Sequence, residues 1–84
     1  MTFRKIDSSL HNRQETWLHD SGSSWVVAYP AVHNRLPVFR AYRAINPVPA
    51  GRMPWTIDNK RIGPEDGFLS LEQAMRAVEA FPTN

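Results

Sequence analysis

Seven prolines and four glycines in 84 residues exclude a helical bundle, because each proline inside a helix removes a hydrogen bond and costs about 3 kcal/mol. Pro30, Pro37, Pro47, Pro49, Pro54 and Pro64 instead punctuate strands and loops. Hydrophobic residues make up 42% of the chain, and three Trp, two Tyr and four Phe lie among them. A disordered chain would be poor in such residues, so a packed core is expected. The length leaves room for one domain over residues 1–84, near the lower end of what folds without staples. The chain has no cysteine, so neither disulfides nor thiolate metal sites can supplement that core, and a reducing interior is implied. Phe3 and Ile6 around Arg4 and Lys5 do not make the apolar core of a signal peptide. No run approaches the roughly 20 apolar residues that span a bilayer. A cytoplasmic protein without a membrane anchor is expected.

The best-marked element lies at the end. Ser70 with Gln73 three residues on is a capping box, in which the hydroxyl accepts from an orphan backbone N–H and the amide reaches back. Leu71, Ala74, Met75, Val78 and Phe81 line one face of the helix that follows, while Glu72, Arg76 and Glu79 lie toward the other. Pro82 stops it. Glu72 and Arg76 form an i, i+4 pair worth about 0.2–0.5 kcal/mol, a structural contact.

Strands are expected before it. Thr16–His19 and 24–29 flank Asp20-Ser21-Gly22-Ser23, a polar turn of the length that joins a hairpin. A second connection runs from Pro30 to Pro37 with His33-Asn34 at its middle, and 38–45 is the next strand. Asn46–Gly51, with Pro47 and Pro49, reads as an exposed, partly extended loop. Met53 to Ile57 reads as a short edge-like strand and Asp58-Asn59-Lys60-Arg61 as a turn. Residues 1–14 are either a first edge strand at Thr2 to Ile6 or a mobile tail. Together these give an α+β domain: a three- to four-stranded antiparallel sheet packed against one C-terminal helix. The expected core is Trp25, Val27, Phe39, Ala41, Ile45, Trp55, Phe68, Leu71, Met75, Val78 and Phe81. Alternation along the strand then points Arg40 and Tyr42 to the face away from the helix, with small neighbours such as Ala28 and Ala44.

Catalytic patterns are weak. His11, His19 and His33 lie in different segments without helical pairing or a nearby carboxylate at ligand spacing, whereas zinc sites show clustered donors. His19-Asp20 beside Ser21, Ser23 and Ser24 lists hydrolase ingredients, but neighbours within one turn do not form the line of nucleophile, base and orienter. Glu65-Asp66 suits the helix N-terminus rather than a glycosidase cleft, which needs separated, facing carboxylates. Gly22, Gly51, Gly63 and Gly67 are too dispersed for a phosphate-cradling loop. No enzyme activity, cofactor or metal is expected.

Between Ser21 and Ile57 there is no aspartate or glutamate, yet Arg35, Arg40, Arg43 and Arg52 interleave with Trp25, Tyr29, Phe39, Tyr42 and Trp55. Uncancelled guanidinium groups sum to a local positive field that a net charge of +2 understates. Arg35, Arg40, Tyr42, Arg43 and Arg52, extended by Lys60 and Arg61, are the candidate binding residues. Arginine pairs phosphate bidentately and aromatic rings stack bases, which suits nucleic acid. The same residue types dominate protein hot spots, and the stiff loop from Pro47 to Trp55 would lose little entropy on docking.

Ser24-Trp25-Val26-Val27-Ala28, a second strand, and Gly67-Phe68-Leu69-Ser70-Leu71-Glu72-Gln73-Ala74 together resemble the small AP2-type modules of plant regulators and mobile-element integrases. The resemblance implies a three-stranded sheet on one helix and places Arg40, Tyr42 and Arg43 on a DNA-reading face. In size and style the chain also resembles phage and mobile-element accessory proteins that inhibit a larger host machine. The expected function is therefore docking on a larger protein or nucleoprotein complex, with direct nucleic-acid binding as the alternative.

Overall fold

The computed structural model describes residues 2–6, 15–31 and 35–81. Five strands, β1 (Phe3–Ile6), β2 (Glu15–His19), β3 (Ser24–Tyr29), β4 (Val38–Ala44) and β5 (Asn59–Ile62), precede the helix α1 (Leu71–Ala80). Each strand pairs antiparallel with the next in the order β1-β2-β3-β4-β5. The α+β architecture follows the expectation, but the sheet has five strands rather than three or four. Phe3–Ile6 takes the strand alternative, and Asn59–Ile62 is a strand where a turn was expected. Its single inward apolar residue, Ile62, is 2% exposed and holds a segment otherwise polar, as edge strands commonly are. Residues 54–56 form a single 3-10 turn instead of a strand, because Pro54 fits the first helical position with its fixed φ and missing N–H. His11, His33, Pro82 and the tail reading of 7–14 lie outside the described residues.

Gly22 closes the β2–β3 hairpin at φ +77°, and its N–H donates to the His19 carbonyl at 2.9 Å. At the other end Phe68 returns to β4: Phe39 and Phe68 exchange backbone hydrogen bonds of 3.0 and 2.7 Å. Ser70 then caps α1, its hydroxyl accepting from the Gln73 N–H at 3.2 Å. The Gln73 amide oxygen accepts in turn from the Leu69 N–H at 3.3 Å, one residue before the cap. The helix ends at Ala80, and Phe81 is extended at φ −86°, ψ 128°, as a residue before proline prefers.

The helix packs on the face carrying Val26, Ala41 and Ile62. These are buried with Phe3, Ala74 and Val78, and Trp17, Phe39, Phe68, Leu71 and Met75 pack around them. Each fully buried Val26, Ile62 or Val78 contributes roughly 1.5–3 kcal/mol. Trp25 and Val27, expected in this core, face the opposite way, since Trp25 pairs with Tyr42 and Val27 with Arg40. Three successive apolar residues, 25–27, carry no alternation to fix the parity, and a slip of one residue exchanges the faces. Ala28 accordingly lies on the helix side, opposite Phe39. Ile45, Trp55 and Phe81 were also expected inside but are 58%, 36% and 42% exposed. Ile45 falls one residue past β4, and Phe81 falls past the helix end.

Candidate functional site

The register lays one row across all five strands on the helix-free face: Arg4, Leu18, Trp25, Tyr42 and Arg61. The row is cationic at both edges and apolar or aromatic between them. A second row runs Ile6, Thr16, Val27, Arg40, and Tyr29 pairs with Val38 beyond it. Among the described residues, no strand position of this face is acidic.

The row's centre is packed. Trp25 and Tyr42 stack with ring centroids 5.4 Å apart at 22°, and Trp55 meets Trp25 edge-on at 5.8 Å and 70°. Both geometries suit the quadrupole of aromatic rings. Pro54 is buried, and Trp25 is 4% exposed although no helix covers it. The loop over 45–58 is therefore a lid on this end of the face. It is held by Arg52 N–H to Pro49 O at 3.1 Å, Thr56 N–H to Met53 O at 3.0 Å, and the Thr56 hydroxyl to Met53 O at 2.6 Å. The lid leaves Trp55 and Met53, at 39%, partly in solvent.

On the same face, Tyr29 is acted on by Tyr42 and Arg40. Burial pushes the Tyr29 hydroxyl above its ordinary value of 10.0, the Tyr42 hydroxyl adds to this through hydrogen bonding and repulsion, and the Arg40 charge opposes it. Among the described residues, Arg4, Arg40 and Arg61 have no carboxylate within ion-pair distance. The ion pairs present are Lys5–Glu15, Arg76–Glu72 and His19–Glu79, each at 3.2 Å.

The seven candidate residues are thus divided. Arg40, Tyr42 and Arg61 share the helix-free face. Arg43 and Lys60 are paired on the helix side, where the Arg43 guanidinium lies 5.6 Å over the Phe81 ring. Arg52 is exposed in the lid loop, and Arg35 is exposed in the connection before β4. Arg43 follows Tyr42 directly, so alternation separates the two, unlike the placement an AP2-type sheet implies. Arg4 and Tyr29 join the face although neither is among the candidate binding residues read from sequence. Arg4 alternates with the buried Phe3, and Tyr29 shares the parity of Trp25.

His19 is held from both ring nitrogens. Nδ1 lies 2.8 Å from the Ser21 hydroxyl and accepts from the Ser21 N–H at 3.1 Å, while Nε2 lies 3.2 Å from Glu79 Oε1. The ring fastens the hairpin turn to the last turn of α1, with Phe3 packed edge-on at 5.0 Å. Its partner Glu79 is sixty residues away, which no local spacing reveals. Among the described residues no three His, Asp or Glu side chains gather as a metal site would need, and no helix is long and apolar enough to cross a membrane. Comparison with protein-family models, curated proteins and solved structures gave no match.

Proposed function

We propose that the chain is a non-enzymatic binding protein that docks on a larger protein or nucleoprotein through the helix-free sheet face and its lid, as an accessory or inhibitor protein would. The observation that carries this reading is the row Arg4–Leu18–Trp25–Tyr42–Arg61 with Arg40 beside it: three guanidinium groups on a face whose described strand positions hold no carboxylate. Charges left unpaired within a fold are available to a partner, and arginine with tryptophan and tyrosine dominates interface energetics. The acid-free character of the same face favours a second reading, direct nucleic-acid binding, with the arginines on phosphates.

The test compares immobilised wild type with Arg40→Glu/Arg61→Glu in capture from a lysate, alongside oligonucleotide titrations at two salt concentrations. Docking predicts a captured species that the double reversal loses while the thermal transition is kept. Undiminished capture by the double variant contradicts it. Oligonucleotide binding whose log affinity falls by roughly 0.9 per neutralised phosphate as log salt rises supports the second reading instead.

A further inference from the structure

We infer that the occupant of the helix-free face is an acidic protein segment with an apolar side chain that seats beside Met53 and Trp55, an inference that rests on the docking reading above. Three observations set this chemistry against a phosphate backbone. First, a single strand of nucleic acid needs aromatic faces for its bases, but Trp25 is 4% exposed and its ring is stacked on Tyr42 and met by Trp55. Those rings already serve one another. Second, the cations do not form a track. Arg4 and Arg61 stand at opposite ends of a five-strand row, four strand spacings or roughly 19 Å apart, with packed apolar residues between. Separate charges of this kind suit discrete carboxylates rather than a continuous phosphate backbone. Third, Met53 and Trp55 offer a partly exposed apolar ledge beside the middle of the row, where Trp55 meets Trp25.

Charge complementarity names the partner's side. Arg61 is paired with Tyr42, and Arg40 lies two residues from Tyr42 along β4, a diagonal relation that separates backbones by about 7–8 Å. Carboxylates at alternate positions of an extended segment recur every ~6.8 Å. An extended segment with acidic residues at i and i+2 therefore meets both guanidinium groups, each able to take a carboxylate in a two-pronged hydrogen bond. Lys5 and Arg76, already paired with Glu15 and Glu72 on the other side of the molecule, supply the control.

The probe is a fluorescein-labelled peptide of alternating glutamate and serine with one central leucine, titrated by anisotropy against its glutamine analogue and a thymidine oligonucleotide of equal length. Binding of the glutamate peptide alone is expected. Arg40→Ala or Arg61→Ala should each weaken it by about tenfold. Met53→Ser, which leaves the Trp25–Trp55 contact in place, should weaken it by a smaller factor, and Lys5→Ala and Arg76→Ala should leave it unchanged. Tighter binding of the oligonucleotide, equal losses in the control variants, or no peptide binding overturns the inference. If the peptide fails while lysate capture still requires Arg40 and Arg61, the acidic chemistry is wrong and the docking face stands. If capture ignores both arginines, the docking reading itself fails.

Discussion

Gly63 shows how a single residue fixes the path between β5 and the helix. Its backbone has φ +91°, and a Cβ there would stand 2.3 Å from Phe68 Cζ, so both conformation and space demand glycine. Gly63→Ala should destabilise the fold by about 2–3 kcal/mol. Gly22→Ala, at φ +77° with nothing within 4 Å, should cost only the backbone term of about 1 kcal/mol. Urea denaturation of the two variants side by side checks this, and equal losses would contradict the Phe68 contact. Tyr29 gives a residue-scale pH prediction. Its folded hydroxyl titrates above the unfolded value of 10.0, so the unfolded chain releases this proton first. Its contribution is fully present below pH 10 and is lost as pH rises through the folded value. Tyr29→Phe should therefore flatten the decline of the thermal midpoint above pH 10. An unaltered decline would show that Tyr29 is not its source. The turn glycines were legible from their polar neighbours, but the Phe68 contact with Gly63 was not. It exists only because Phe68 returns to pair with Phe39, a tertiary event without local spacing.

Among the elements, α1 was the most legible, since a hydroxyl cap, a 3.6-residue apolar period and a terminal proline all say the same thing. Ser70→Ala removes the acceptor for the Gln73 N–H and should cost about 1 kcal/mol, lowering the thermal midpoint by roughly 4–8 °C for a domain of this size. An unchanged midpoint would mean that tertiary packing alone holds the helix start. β4 was legible because Arg40 and Tyr42 alternate with Phe39 and Ala41, which fixes its faces. β3 was not, because Trp25, Val26 and Val27 are all apolar and either parity satisfies the pattern. The correction changes the meaning of the lid loop: Trp25 needs cover on the side without a helix, and the 3-10 turn at 54–56 provides it through Pro54 and Trp55. Trp55→Ala should raise the solvent exposure of Trp25. The check is an increased quenching of the remaining tryptophan fluorescence by acrylamide, and quenching at the wild-type level would remove the lid role. Tyr42→Ala, for its part, removes the stacking partner of Trp25 and should destabilise by roughly 2 kcal/mol. Charge changes at Arg40 and Arg61 are therefore the cleaner probes of binding.

At the scale of the whole molecule, the ion-paired carboxylates keep to one side while cations lie on both. Among the described residues the carboxylates that make ion pairs, Glu15, Glu72 and Glu79, lie on β2 at the helix side or on the helix itself, while Arg4, Arg40 and Arg61 gather on the other side of the sheet. The acid-free stretch between Ser21 and Ile57 pointed to only one of these three arginines, Arg40. It could not show that Arg4 and Arg61, far apart in sequence and on opposite edge strands, close the same row, because their meeting depends on the five-strand register. Nor could it show that the aromatic residues are mostly turned on one another. The proposed docking uses the helix-free face and not the helix. Photo-crosslinking separates the two, with benzoylphenylalanine placed at position 59, which shares the face of Arg61 and leaves that arginine in place, in one preparation and at position 76 in another, each irradiated in the same lysate. Docking through the helix-free face gives a discrete higher-mass adduct from position 59 and none from position 76. An adduct from position 76 alone would contradict it.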